Sequence, residues 1–218
     1  MSTWAMIPIK PLNRAKSRLA PVLSEREREF LALEMLYHNL RILTKTPGID
    51  GVLVISRDMK ALSAARTIEG VQTMQESGTP ELNSVLHRAC RMLISWQVEA
   101  SLIMPADIPL VTHADIANIL ALGHRENTIV IAPDRHKDGT NAILTRPPDI
   151  IDLAFGTGSF AQHIRSAELT GAEVLTYESV RLGMDIDTPD DLDSYYALAK
   201  ELGVEPIQLL AEAAQGPS

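Results

Sequence analysis

The chemistry legible in this chain lies in three aspartates and one basic run. In Met184-Asp185-Ile186-Asp187-Thr188-Pro189 two aspartates stand two positions apart. On an extended strand both would point to one face, roughly 7 Å apart by strand rise. Two like charges so placed repel unless water or a cation lies between them. With no His or Cys nearby, an all-oxygen ligand set implies Mg²⁺ or Mn²⁺. A third carboxylate, Asp107, sits in Pro105-Ala106-Asp107-Ile108-Pro109, a loop stiffened by two prolines after an apolar run. The basic run is Lys10-Pro11-Leu12-Asn13-Arg14-Ala15-Lys16-Ser17-Arg18. Four cations following an apolar stretch suit a polyphosphate, Arg giving forked donors and Lys a point charge. The run has no glycine, so it is neither a Walker loop nor a dinucleotide fingerprint. Taken singly, each feature has a plain structural explanation: a solvated basic loop, a turn aspartate, a polar strand end. Taken together they describe a metal-assisted nucleotide site. The cation would bridge phosphate oxygens and the basic loop would take up charge on a leaving pyrophosphate.

Such a site needs a scaffold that brings distant segments to one edge. Apolar strand-like runs at 5–9, 51–56, 71–74 and 101–104 alternate with helical periodicity from 25 to just before Pro47-Gly48 and at 59–68, 81–96 and 113–122. Further strands are expected at 128–132, 141–144, 173–177 and 183–186, with helices at 159–169 and from Pro189 onward. Ser24 with Glu27, Thr112 with Asp115 and Thr188 with Asp191 form capping-box patterns that start helices. Asp190, Asp191 and Asp193 then fall in a first helical turn, where the helix dipole favours negative charge, and are not counted as ligands. Strands alternating with helices predict an α/β fold, a doubly wound, mostly parallel sheet flanked by helices, with ligands beyond the carboxyl ends of the strands. The strand order is not legible. One domain over 1–218 is expected, with a frayed tail from about 206.

Composition bounds the function. The 218 residues are 45% hydrophobic and 22% charged, with a net charge of −8. This is a globular composition and excludes wholesale disorder. No apolar run reaches the ~20 residues of a membrane span, and the first residues lack a signal-peptide pattern, so a cytoplasmic location without membrane contact is expected. One cysteine, Cys90, allows neither an internal disulfide nor a cysteine zinc cluster; within an apolar helical stripe it reads as a buried small hydrophobe. The acidic balance argues against a nucleic-acid partner. It also hides an asymmetry. Residues 1–24 carry four cations and no Asp or Glu, leaving −12 for the remainder.

The runs IPIKPLNRAKSRLA, PADIPL, DGTNAIL, FGTGSFAQH and MDIDTPDDL resemble, in order and over about residues 4–198, the 2-phospho-L-lactate and phosphoenolpyruvate guanylyltransferases of coenzyme F420 biosynthesis. Their fold kin are the glycosyltransferase-A-like nucleotidyltransferases. The resemblance implies transfer of GMP from GTP to a small phosphorylated three-carbon acid with release of pyrophosphate. It implies Mg²⁺, with Mn²⁺ as a substitute, held by Asp107, Asp185 and Asp187. Thr140, Gly156 and Ser159 would bind the acid, the glycines and the amides opening the helix at Ser159 receiving its anion. Lys10, Lys16 and Arg18 would meet the triphosphate, with Arg14 turned to solvent, and Asn83 would read the base. Lys16 and Asp107 would be the catalytic pair. Relatives carry Gly-Leu-Asn where this chain has Glu81-Leu82-Asn83, so guanine preference follows less directly than reaction type. The same resemblance leaves open a downstream transferase that accepts the product, and a homodimer that no sequence feature demands. The rival readings are the same fold using 3-phospho-D-glycerate or another nucleotide, and a regulatory protein that binds GTP without transfer.

The other eye-catching residues have simpler roles. Asp134, His136 and Asp138 read as a polar loop before Gly139 rather than a metal cluster. His38, His87, His113 and His124 read as surface or local hydrogen-bonding groups. His163, four residues from Ser159 on one helix face, either orients an anion or makes a helix-surface hydrogen bond.

Overall fold

The computed structural model describes residues 2–77 and 81–209. Seven strands form one sheet: β1 (Thr3–Pro8), β2 (Gly51–Ser56), β3 (Val71–Gln75), β4 (Ala100–Ile103), β5 (Thr128–Pro133), β6 (Thr140–Arg146) and β7 (Glu173–Thr176). Their order is β3-β2-β1-β4-β6-β5-β7. All neighbours run parallel except at β6, which pairs antiparallel with both β4 and β5. The sheet is therefore mixed, with one reversed strand. The short 134–139 loop returns the chain directly, whereas a parallel neighbour needs a crossover.

Strand residues alternate between two cores. Ala5, Ile7, Val52, Val54, Leu102 and Val130 face one core, completed by α1 (Glu25–Lys45), α2 (Met59–Ala65) and α4 (His113–Leu122). Met6, Leu53, Ile55, Ile103, Ile129 and Ile143 face the other, where α3 (Leu82–Ser95) and α5 (Ser159–Thr170) pack. Burial on both faces explains why the central strands read as unbroken apolar runs. Cys90 lies in this second core, and burial pushes its thiol up to about 11. The last helix, α6 (Pro189–Glu201), packs through Leu192, Tyr195 and Ala199 into a third cluster with Leu31, Met35 and Ile186. No helix among the described residues is long and apolar enough to cross a membrane.

All three capping boxes form, at Ser24, Thr112 and Thr188. Two expectations do not hold. The helix from 59 stops at Ala65 rather than 68, because residues 66–70 turn directly into β3. Residues 183–186 are not a strand. Met184 and Ile186 are buried and Asp185 and Asp187 partly exposed, which is the alternation of an extended chain. The segment docks against the Asp107 loop, Ile186 N–H reaching the Asp107 carbonyl at 3.4 Å. Residues 206–209 form no regular structure, and the rest of the tail lies outside the described residues.

Candidate active site

The carboxyl ends of β1, β2, β3 and β4 share one edge of the sheet, and the start of β6 joins them because that strand is reversed. A cavity of about 600 Å³ opens there, lined among others by Lys10, Arg14, Lys16, Asp107, Asn141, Gly156, Asp185 and Asp187. The basic run, the proline-flanked aspartate and the aspartate pair thus meet, although 177 positions separate Lys10 from Asp187.

The basic run is not a loose loop. It folds into two 3-10 turns, Leu12–Arg14 and Ser17–Leu19. Leu12 and Leu19 are buried, the Leu12 amide donates to Asp58 Oδ2 at 2.7 Å, and Arg28 of α1 donates to the Ala15 carbonyl at 3.1 Å. Lys16 lies between the turns with φ 52°. A left-handed backbone costs a non-glycine residue energy, and such strain gathers at functional sites. Here it turns the side chain inward. Lys16 Nζ donates to Asp107 Oδ2 at 2.8 Å and to Asp187 Oδ1 at 2.9 Å, with only 8% of its side chain exposed. Burial works against its charge, but the two carboxylates outweigh it and hold the ammonium above the usual lysine range. Lys10 lines the same wall. Arg18 is exposed and outside the lining, yet its charge reaches Asp187. Arg14 lines the cavity instead of facing only solvent, since the first 3-10 turn carries it back over the opening.

The aspartates differ in state. Burial raises Asp187, yet Lys16 above all, with Lys10 and Arg18, brings it below the usual carboxylate range. Asp185 shows the opposite result: burial first, then Asp107 and Asp187, push it up against a hydrogen bond from Asn141 Nδ2 at 3.2 Å. Asn141 also donates to the Leu182 carbonyl at 2.9 Å, clamping the chain before Asp185. Asp187 is held from the other side, its amide donating to Asp191 Oδ2 at 3.0 Å inside the α6 capping box.

Among the described residues, no three His, Cys, Asp or Glu side chains are gathered closely enough to hold a metal ion. The expected trio of Asp107, Asp185 and Asp187 is correspondingly not assembled as a ligand cage, because Lys16 stands between two of its members. The donor set still fits a hard divalent cation. It is all carboxylate oxygen, and Asp185, raised by burial first and then by Asp107 and Asp187, would gain from a nearby cation. A cation engaging Asp107 and Asp187 together would displace the Lys16 ammonium.

Thr140, Ser159 and His163 form a buried group beside the cavity, outside its lining. His163 Nε2 accepts from the Ala154 amide at 2.9 Å, so the ring proton resides on Nδ1 and donates to Thr140 Oγ1 at 3.0 Å. Ser159 Oγ donates to the same oxygen at 3.3 Å. With both acceptor positions of Thr140 filled, its own hydroxyl proton is left as a donor. His163 is fully buried and its pKa falls to about 4 through desolvation, so it works as a neutral orienting ring. This corrects both sequence expectations, of an anion ligand and of a helix-surface bond.

Two other site expectations change. The amides opening α5 are already engaged: Gly158 N–H with Asp138 Oδ2, Ser159 N–H with Gly156 O and Phe160 N–H with Asp138 O. They do not form an open anion seat, although Gly156 itself, at φ 137°, lines the cavity. Asn83 does not line the cavity. Its carboxamide clasps the Phe155 peptide, accepting from N–H at 2.8 Å and donating to C=O at 3.2 Å. Asp134 accepts from the amides of His136, Asp138 and Gly139, which makes the 134–139 segment a self-capped loop. His124 makes a local hydrogen bond to the Ala121 carbonyl, whereas His38, bonded to the Val111 carbonyl, and His113, bonded to Thr46 Oγ1, tie the end of α1 to the segment opening α4. The sequence reading missed Asn141, though it stands in DGTNAIL beside Thr140. It also missed Arg57 and Glu76, which line the cavity and carry no motif.

A family model described as guanylyl transferase CofC like matches residues 3–197. The phosphoenolpyruvate guanylyltransferase of Rubrobacter xylanophilus is 38% identical over 192 residues, 88% of this chain and 92% of that one. The 2-phospho-L-lactate guanylyltransferase of Methanothermobacter thermautotrophicus is also 38% identical, over 88% of this chain and 83% of its own. Among solved structures, a protein from Desulfovibrio desulfuricans described as a candidate nucleotide-diphospho-sugar transferase superposes with a TM-score of 0.76. It is 18% identical and covers 92% of this chain and 89% of its own, a likeness of fold alone.

Proposed function

The chain belongs to the CofC-like guanylyltransferase family, and from that premise we propose that it transfers GMP from GTP to phosphoenolpyruvate or 2-phospho-L-lactate in coenzyme F420 biosynthesis. A phosphate oxygen of the acid forms a bond to the α-phosphorus, the bond to the β-phosphate oxygen breaks, and pyrophosphate departs with that electron pair. The nucleophile is already ionised, so no strong general base is needed and positioning with electrostatics supplies the acceleration. The observation that carries this reading is the meeting of Lys10, Lys16, Asp107, Asp185 and Asp187 in one cavity at the sheet edge. Lys10 and Lys16 take up charge on the departing pyrophosphate, with Arg18 adding to the field. Thr140 offers its remaining hydroxyl proton to the acid, oriented by Ser159 and His163, while Gly156 lets the backbone approach. Asp107, Asp185 and Asp187 would hold Mg²⁺, with Mn²⁺ as a substitute, and the ion would supply charge neutralisation for the triphosphate.

The test is pyrophosphate release with GTP, ATP, CTP and UTP, each crossed against phosphoenolpyruvate, 2-phospho-L-lactate and 3-phospho-D-glycerate. Product would be captured by a downstream transferase where it is labile. Release confined to GTP with either of the first two acids is expected. Release with 3-phospho-D-glycerate alone would move the protein to a different acid. GTP binding without release in any pairing would leave only the regulatory reading. Chelation of divalent cations should abolish release, and Asp185→Ala should do the same while the protein still melts cooperatively. Near-normal turnover by that variant would refute the metal assignment.

A further inference from the structure

With Asn83 engaged by the Phe155 peptide, the base has no reader among the residues expected to bind nucleotide. We propose that Glu76, braced by Arg57, reads guanine through its N1–H and 2-amino donors, a role that rests on the guanylyl-transfer reading above. The sheet order places it. Along the carboxyl edge stand Glu76 after β3, Arg57 after β2, Lys10 after β1 and Asp107 after β4, on four adjacent strands. At about 4.8 Å per strand, Glu76 lies on the order of 14 Å from the Asp107 end. That is a nucleotide laid across the edge, phosphates at β1 and β4 and base at β2 and β3.

The cavity also suits a base. Ile9, Ile55, Leu82 and Val85 give its lining apolar surface, and among the described lining residues Glu76 is the sole carboxylate outside the three aspartates. Its backbone is fixed where β3 runs on past its last strand residue, the Glu76 amide donating to the Ser56 carbonyl at 2.8 Å. Its side chain is 16% exposed and paired through Oε2 with Arg57 Nε at 3.2 Å. One carboxylate has room for about four donors, so the Arg57 pair leaves capacity for a ligand. Guanine presents two adjacent donors, N1–H and the 2-amino group, which two carboxylate oxygens match. Adenine and cytosine present a ring acceptor where guanine has N1–H, and uracil flanks its single N–H with carbonyls; each would leave Glu76 facing an acceptor. Arg57, beside it, suits the neighbouring O6 acceptor.

The experiment measures binding of GTP, ITP and XTP by calorimetry to the full chain and to Glu76→Gln, with pyrophosphate release measured in parallel. ITP lacks the 2-amino donor, so the unaltered protein should bind it roughly 10- to 100-fold more weakly than GTP. Equal affinities would overturn the proposal without recourse to any variant. XTP replaces the 2-amino donor with a carbonyl, and the glutamine carboxamide matches that donor–acceptor pair. Glu76→Gln should therefore lose GTP by a similar factor and gain XTP, inverting the preference. A cooperatively melting Glu76→Gln protein that keeps the original GTP-to-XTP ratio, or loses both equally, would also overturn it. Selective GTP binding with no release for any acid would leave the base-reading role standing and sink the reaction.

Discussion

Lys16 is the residue on which the charges of the site balance. A left-handed backbone turns it into a pocket where it holds two aspartates that would otherwise repel. Lys16→Met keeps the stem and deletes the charge, so Asp107 and Asp187 lose their partner. Removing one member of a fully buried pair costs ~3–5 kcal/mol. With these aspartate side chains 27% and 46% exposed, about 1–3 kcal/mol is expected. The Lys16→Met protein should melt lower than the unaltered chain in chelator and recover in Mg²⁺, which supplies the missing charge, while turnover falls by roughly 100-fold or more. A melting temperature indifferent to both changes would count against the pairing. His163 acts differently, through a ring that burial keeps neutral. Its folded pKa, about 4, lies below the ~6.5 of an unfolded histidine. The unfolded chain therefore binds the extra proton first. The stabilisation is complete above about pH 6.5 and is lost as pH falls toward 4, by a few kcal/mol at most. Thermal melts across that window should show this acid slope, and His163→Gln should flatten it. The same variant should raise KM for the acid more than for GTP, because Thr140 loses the donor that orients it.

At the scale of elements, the three capping boxes do more than start helices. The one on α6 anchors a metal-site candidate: Asp191 Oδ2 accepts from the amides of Asp187 and Thr188 and from the Thr188 hydroxyl. Thr188→Ala removes the N-cap and should cost about 1 kcal/mol in urea denaturation. Because the same carboxylate fixes the Asp187 peptide, the concentration of Mg²⁺ giving half-maximal turnover should rise as well. A purely helical role would move the denaturation midpoint alone. The reversed strand β6 has a similar double duty. Its direction puts Thr140 and Asn141, at its start, on the edge where its antiparallel neighbours β4 and β5 end. The clasp between Asn83 and Phe155 likewise ties the start of α3 to the segment that carries Gly156.

Across the whole molecule, the site draws on segments from residue 8 to residue 187, brought together by the sheet and by the loops and helices packed on it. A ligand spanning them should stabilise the entire fold. GTP with Mg²⁺ at a hundred times its Kd should contribute about 2.7 kcal/mol. For a chain of this size that is a rise of roughly 5–11 °C in Tm, with smaller rises at lower concentrations. An unshifted melt under saturating nucleotide would remove the cavity as the binding site. Much of this architecture was legible from residue types and spacing alone. Apolar runs and capping residues act locally, so strands, helices and the α/β class follow from short windows. The basic run, Asp107 and the Asp185–Asp187 pair stand out because charge beside an apolar strand end is costly without a reason. Tertiary structure alone decided the strand order, the reversal of β6 and the pairing of Lys16 with aspartates 91 and 171 residues away. It also decided that Asn83 faces a peptide while Glu76 and Arg57 line the cavity. The reason is physical: a side chain's type is written in sequence, but its partners are set by which strand ends pack side by side.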